Sequence, residues 1–209
     1  LTMGQTEMYP MTLMFRPEQQ LKRFGTYWGE SAMINDTAIM DEDGRILGMG
    51  EVGEVVHRGP NVMLGYFRDP EATAESRRFG WHHTGDNGMF DQDGQLVFVD
   101  RKKDMIKSGG ENISSVQVEE ALFRHPAVTN AAVVGLPHPR WGESVAAFVK
   151  VKDGSGVTDR DLLNHCRNNL GAFQVPKAVI ILDGFPMTGS GKVKKADLRL
   201  QYPDWFNVE

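Results

Sequence analysis

The residues from Asp100 to Ile113, DRKKDMIKSGGENI, place seven charged side chains and a Gly-Gly pair in fourteen positions that have the spacing of a β-hairpin. Gly109 and Gly110 permit positive φ and let backbone approach a ligand closely, while Arg101, Lys102, Lys103 and Lys107 surround that backbone with positive charge. The combination suits a phosphate-bearing ligand. It also suits a solvated turn, because charged hairpins with glycine are common on protein surfaces. A second candidate is Pro186-Met187-Thr188-Gly189-Ser190-Gly191-Lys192, read as a flexible loop that delivers one lysine. An ammonium so placed can follow charge developing on a phosphate or carboxylate and withdraw after the step. The spacing differs from the G-x-x-x-x-G-K-S/T of a Walker A loop, and a surface turn ending in lysine is the plainer alternative.

The elements that must position these residues change character near Asp100. From about Thr37 to Val99 the pattern is short strands and tight turns, with Asp43-Gly44 and Asp93-Gly94 each flanked by alternating apolar residues. Glu51 to Arg58 alternates as a strand does, and Asp69 to Glu75 reads as one short helix with proline in its first turn. Thr84-Gly85-Asp86 is expected in a loop, where an Asx-type turn would account for it. After Asp100 helices and strands alternate. Ser114 to Gln117 resembles a capping box for a helix carrying Val118, Ala121 and Leu122 on one face until Pro126. Strands are expected over Asn130 to Leu136, Ser144 to Val151 and Ala178 to Leu182. Thr158 is placed to cap a helix that buries Leu162, Leu163 and Cys166.

Composition agrees with two units. The 209 residues are 40% hydrophobic, enough for ordinary cores. Residues 1–100 carry a net charge of −8 and residues 101–209 a net of +3. The overall −5 argues against general nucleic-acid binding, which needs a concentrated basic face. The basic second half still has room for a local anionic ligand. One cysteine, Cys166, excludes an intrachain disulfide and suits a reducing compartment, here taken as cytoplasmic. No apolar run approaches the ~20 residues that cross a bilayer. The start at Leu1 followed by a dense motif leads us to expect a fragment of a larger protein.

Four segments occur in a fixed order: MGQTE at 3–7, GWHHTGD at 80–86, DRKKDMIKSGGENI at 100–113 and PMTGSGK at 186–192. Together they resemble the adenylate-forming superfamily, and more closely the C-terminal part of an acyl-CoA synthetase. The resemblance implies an α+β chain: residues 1–100 as the mostly-β, distorted barrel-like end of a large N-terminal AMP-binding domain, and residues 101–209 as its small, mobile α+β C-terminal domain. It implies a two-step reaction, in which a carboxylate attacks the α-phosphate of ATP and the thiol of CoA then attacks the acyl-adenylate. An anionic nucleophile approaching an anionic phosphate needs cationic help, and Mg²⁺ is the metal implied.

Residue by residue, Thr6 resembles the threonine that touches the α-phosphate and Glu7 the glutamate associated with Mg²⁺. Gly4 falls in the same nucleotide-binding segment, and Met3 stands where many relatives carry a tyrosine on adenine. Asp86 matches the aspartate that accepts the ribose hydroxyls, and Arg101 the arginine near ribose and phosphate. Lys192 matches the lysine that bridges carboxylate and α-phosphate. Lys103 matches the pivot about which the C-terminal domain turns between the two steps. Gly109 and Gly110 would line the pantetheine passage, with Trp141 resembling an aromatic there; simple packing under a loop is the alternative for Trp141.

Other reactive residues are set aside. His82 and His83 lack a third ligand at metal spacing and are assigned to the aromatic character of their stretch. Cys166 is read as core, and His125 as a partner for a helix C-terminus or a surface residue. The glycine- and Ser/Thr-rich phosphate loop of the family lies upstream of the adenine segment and is absent from these residues, so the fragment alone is expected to be inactive in adenylation. Two alternatives stay open: an adenylating enzyme that loads a carrier-protein phosphopantetheine, and an inactive fragment that only binds nucleotide or CoA. Oligomeric state and the identity of the carboxylic acid have no signature in the chain.

Overall fold

A computed structural model describes residues 2–8, 11–20 and 27–206, with the side chains of Thr2, Met3 and Gln20 outside the description. The adenine-covering role expected of Met3 therefore falls on a side chain outside the described residues, as does the C-terminal tripeptide 207–209. The chain divides into two compact units, Leu1–Lys102 and Lys103–Glu209. The whole is α+β, as expected.

The first unit contains β1 (Thr2–Met3), β2 (Leu13–Met14), the one-turn α1 (Pro17–Gln20), β3 (Tyr27–Ser31), β4 (Asp36–Met40), β5 (Gly53–Arg58), α2 (Pro70–Glu75), β6 (His82–Phe90) and β7 (Leu96–Arg101). Its strands form one curled antiparallel sheet in the order β1-β2-β3-β7-β6-β5-β4. Period-two alternation sends neighbouring residues to opposite faces. Ile39 and Val55 join Leu13 and Leu96 in one core, while Ala38, Met40 and Val56 pack with Trp81 in another. The two Asp-Gly turns are built alike. Asp41 accepts the N–H groups of Asp43 and Arg45, and Asp91 those of Asp93 and Gln95, which locks each register from its own first residue. At Gly29 a Cβ would stand 2.2 Å from the Met14 carbonyl oxygen, so β3 can pass β2 only as bare backbone.

The second unit holds β8 (Ile106–Ser108), β9 (Glu111–Ile113), α3 (Ser115–Phe123), β10 (Val128–His138), β11 (Gly142–Val151), α4 (Asp159–Asn169), β12 (Ala178–Ile181) and α5 (Lys195–Gln201). Strand β11 pairs antiparallel with β10, parallel with β12, and through Gly142 with Ser108 of β8. Both faces of the β10–β11 pair are covered, which is why these strands read as near-continuous apolar runs. Val133, Val145, Ala147 and Val149 face α3 and α4 through Val118, Leu122, Leu162 and Cys166. Val134, Leu136, Ala146 and Phe148 face Leu198 of α5. Full burial of Phe148 contributes about 1.5–3 kcal/mol by area.

Helix α4 starts in a complete capping box, with Thr158 and Asp161 each satisfying the other's backbone N–H. Helix α3 has only half of the box expected at Ser114–Gln117. The Ser114 hydroxyl accepts the Gln117 N–H at 3.2 Å, but the Gln117 side-chain Oε1 accepts from Gln174 Nε2 at 2.7 Å. A longer-range amide partner displaces the local one. Cys166 is fully buried, and burial pushes its thiol up to about 11, so it behaves as a small apolar side chain.

Candidate functional site

In the first unit Asp86 lies on β6 and Arg101 on β7, while Gly4, Thr6 and Glu7 lie around the turn Thr6–Met8. Thr84-Gly85-Asp86 lies inside β6 and not in the loop expected of it. The register of β5 against β6 shifts between Glu54 and Val56, and Gly85 sits at φ +73. The Thr84 hydroxyl donates to the Val55 carbonyl at 2.7 Å and accepts the Asp86 N–H at 3.1 Å. This is a β-bulge: local turn chemistry in glycine and aspartate, within a strand that continues on both sides. Its consequence is to re-aim Asp86.

Asp86 lies opposite Arg101 in the β6–β7 ladder and is only 3% exposed. Its Oδ2 accepts from Gln5 Nε2 at 3.3 Å. Its Oδ1 lies 3.1 Å from Arg101 Nε but receives no aligned hydrogen bond. Burial pushes the Asp86 carboxyl above the usual range, against the pull of Arg101 and Gln5. Oδ1 thus keeps unused acceptor capacity beside the Arg101 guanidinium.

Gln5, a residue without a motif role of its own, completes this arrangement. Its Nε2 also donates to the Thr84 carbonyl at 3.4 Å, and its Oε1 stands 3.2 Å from His82 Nε2. With His82 as donor, the amide has its nitrogen turned to Asp86. Burial, first among several influences, lowers the His82 pKa, which keeps the ring neutral. His83 places Nδ1 3.0 Å from Glu54 and Nε2 3.0 Å from the Arg78 carbonyl. Both histidines are therefore parts of polar networks, and their aromatic character does not explain them. Gln5 had no local signal, because its partner is 81 positions away.

Gly4 and Thr6 are exposed, and Thr6 opens the single turn Thr6–Met8, which the fully buried Met8 pins down. Glu7 accepts from the Tyr66 hydroxyl at 3.1 Å through Oε1, and its carbonyl accepts the Met63 N–H at 2.8 Å. Burial, followed by Glu7, pushes the Tyr66 phenol up, so it stays protonated as that donor. Among the described residues no three His, Cys, Asp or Glu side chains gather to hold a metal ion. A lone hard carboxylate fits Mg²⁺ of the kind held chiefly by substrate phosphates and water, and does not fit an all-protein cage.

In the second unit Gly109 and Gly110 form the turn of the β8–β9 hairpin, at φ +59 and +90. Positive φ at both central positions is the type I′ requirement that favours glycine. The Gly109 N–H donates to the Trp141 carbonyl at 3.0 Å, and a Cβ on Gly109 would lie 3.6 Å from the indole. The Trp141 ring stacks on His138 at 4.3 Å, with Lys177 Nζ 5.4 Å from its centroid. The structure therefore joins the glycine turn to an aromatic platform with a cation over it.

Lys103 is the first residue of this unit. Arg199 reaches its carbonyl at 3.5 Å and pairs with Asp104 at 2.9 Å, which ties the segment to α5. Lys192 ends a turn closed by its carbonyl accepting the Thr188 N–H at 2.7 Å and its own N–H donating to the Thr188 hydroxyl at 3.0 Å. The segment read as a flexible loop is a hydrogen-bonded turn before α5, because Thr188 supplies both partners.

Comparison with known proteins gives these geometries a frame. The model of the AMP-binding enzyme matches residues 2–67, and that of the AMP-binding enzyme C-terminal domain matches residues 117–192. A feruloyl-CoA synthase from Amycolatopsis sp is 43% identical over 199 residues, 95% of this chain and 40% of the relative. The ATP-bound crystal structure of MatB from Rhodopseudomonas palustris superposes with a TM-score of 0.88 at 32% identity, over 97% of this chain and 40% of that one. O-succinylbenzoate coenzyme A synthetase (MenE) from Bacillus subtilis, in complex with ATP and magnesium ion, gives 0.84 at 32% identity, over 96% and 40%. The chain thus spans about 40% of the length of these relatives.

Proposed function

The chain belongs to the AMP-binding enzymes of the adenylate-forming superfamily, and from that premise we propose that it is the C-terminal portion of an ATP-dependent acyl-CoA synthetase. The parent joins a carboxylate to AMP with release of pyrophosphate, then passes the acyl group to the thiol of CoA with release of AMP. The observation that carries this reading is the buried Asp86 carboxylate, paired with Arg101, oriented by Gln5 and left with one acceptor oxygen without a hydrogen bond. A carboxylate with two oxygens suits the vicinal hydroxyls of a ribose.

Around it the roles follow from chemistry. The Thr6 hydroxyl, exposed beside Gly4, donates to the α-phosphate. Arg101 sits on the nucleotide side, paired with Asp86. Glu7 is the carboxylate that would hold Mg²⁺, which when bound offsets phosphate charge. Lys192, at the end of its hydrogen-bonded turn, supplies a positive charge to the acyl carboxylate and α-phosphate. Lys103 is the pivot. In the thiol-accepting step Gly109 and Gly110 offer a side-chain-free passage for pantetheine, with Trp141 flanking it. The alternative acceptor, a carrier-protein phosphopantetheine, presents the same thiol arm.

The test is to supply the parent protein with ATP, a panel of aliphatic and aryl carboxylic acids, and either CoA or a holo-carrier protein. Carboxylate-dependent pyrophosphate release followed by CoA thioester is the expected result. Thioester on the carrier alone would select the alternative, and no pyrophosphate with any acid would refute adenylate formation. For the 209-residue chain itself, calorimetry should register AMP and CoA without turnover. No helix among the described residues is long and apolar enough to cross a membrane.

A further inference from the structure

We propose that Glu54 is a positioning residue that registers the Asp86 bulge and the exit of the chain from the first unit on a single buried charge. The nucleotide arm of this inference rests on the role proposed for Asp86.

The Glu54 side chain is 8% exposed. Its Oε1 accepts the Gly85 N–H at 3.0 Å, and its Oε2 lies 3.0 Å from both His83 Nδ1 and Lys102 Nζ. Burial raises its pKa, but the bonds from His83, Lys102 and Gly85 outweigh that and leave it lowered, so Glu54 is an anion. A buried carboxylate persists only when its oxygens are satisfied, and here the Gly85 N–H and the Lys102 ammonium supply a donor to each, with His83 Nδ1 beside Oε2.

The donors are not scattered. Gly85 is the bulge residue immediately before Asp86, and Lys102 is the last residue of the first unit. The Lys102 N–H also donates to the Gly85 carbonyl at 2.9 Å, so the two are joined directly and again through Glu54. The sheet does not depend on this carboxylate. Glu54 pairs with Asn87 through backbone, and His83 keeps a second bond to the Arg78 carbonyl. What the carboxylate adds is aim at Asp86 and a fixed near end for the segment that begins at Lys103. A glutamine has one oxygen for two donors: facing Gly85 it turns its amide N–H toward the ammonium, and facing Lys102 it releases Gly85, so the charge is required.

The experiment uses Glu54→Gln and, separately, Lys102→Met in the 209-residue chain. Calorimetry is run with AMP and with 2′,3′-dideoxy-AMP, hydrogen exchange is read over 83–87 and 99–103, and circular dichroism verifies folding. Glu54→Gln should weaken AMP about tenfold and leave dideoxy-AMP unchanged, because the ribose contact is already missing there. Exchange at Gly85 and Lys102 should rise in the same variant. Lys102→Met should raise exchange at 99–103 while Gly85 stays protected. A folded Glu54→Gln with unaltered AMP affinity and exchange overturns the proposal. If Glu54→Gln fails to fold, unchanged exchange in Lys102→Met overturns it. Should the wild-type chain bind no AMP, the nucleotide reading of Asp86 fails, and exchange alone then decides whether Glu54 holds the bulge.

Discussion

Acid should destabilise the first unit through one histidine. His57 is fully buried on β5, directly across the ladder from His82; its Nδ1 lies 3.0 Å from the Thr37 hydroxyl and its Nε2 has no hydrogen-bond partner. Burial, with a smaller push from His82, lowers its pKa from 6.5 to about 4. The folded value lies below the unfolded one, so the unfolded chain takes the proton first. Stability therefore falls as pH drops through 6.5 and stops falling below about 4. Integrating between these values gives a loss of about 2 kcal/mol from about pH 7 to about pH 5. His82 shifts in the same direction, whereas the raised Asp86 works against it by adding stability as pH falls. The clean measurement is therefore a difference between proteins. Glutamine at position 57 keeps a polar partner for Thr37 and does not titrate. Denaturant-dependent hydrogen exchange over β5 and β6 reads the first unit alone, at both pH values, in wild type and His57→Gln. The variant should lose about 2 kcal/mol less on acidification. An equal pH dependence in the two proteins would refute the assignment.

Two further substitutions separate stability from binding. Asp86→Asn should abolish most AMP binding in calorimetry yet stabilise the first unit by about 1 kcal/mol near neutral pH, since it removes a charge whose burial is unfavourable. The half-exposed Arg101 partner offsets little of that, and a destabilised Asp86→Asn would contradict the burial argument. Gly29→Ala should cost more than about 3 kcal/mol in urea denaturation, because its Cβ meets the Met14 carbonyl at 2.2 Å and its φ is +98. A loss under about 1 kcal/mol would show that β2 and β3 can separate at little cost.

Local signals in the sequence were enough for α3, β10, β11, α4 and β12, because β10, β11 and α4 carry long apolar patterns and both helices have side-chain caps, whereas α5 has no side-chain cap and was not anticipated. The Asp-Gly turns were legible for the same reason: Asp41 and Asp91 bind residues two and four positions on. Short-range reading failed where a distant partner won. Gly85 and Asp86 look like a turn because turn residues also build bulges, and only Val55 and Glu54 on the neighbouring strand keep them in β6. Gln117 was drawn from its cap by Gln174, 57 positions away. Gln5 and Glu54, which orient the candidate ribose carboxylate, stand 81 and 31 residues from their partners. No periodicity or motif rule reaches across such distances. The motif residues themselves, Asp86, Arg101, Gly109, Gly110 and Lys192, were legible as types. Their supporting shell was not.

The central claim is that one chain serves two successive steps with different residues, about a pivot at Lys103. It is tested most directly by measuring both half-reactions separately in the parent protein carrying Lys192→Ala or Lys103→Pro: pyrophosphate release from ATP and carboxylate, and thioester formation from supplied acyl-adenylate and CoA. The account predicts a crossed result, in which Lys192→Ala loses the first step by about a hundredfold and keeps the second. Lys103→Pro, with φ fixed, keeps the first and loses the second. Equal loss of both steps in both variants would contradict it.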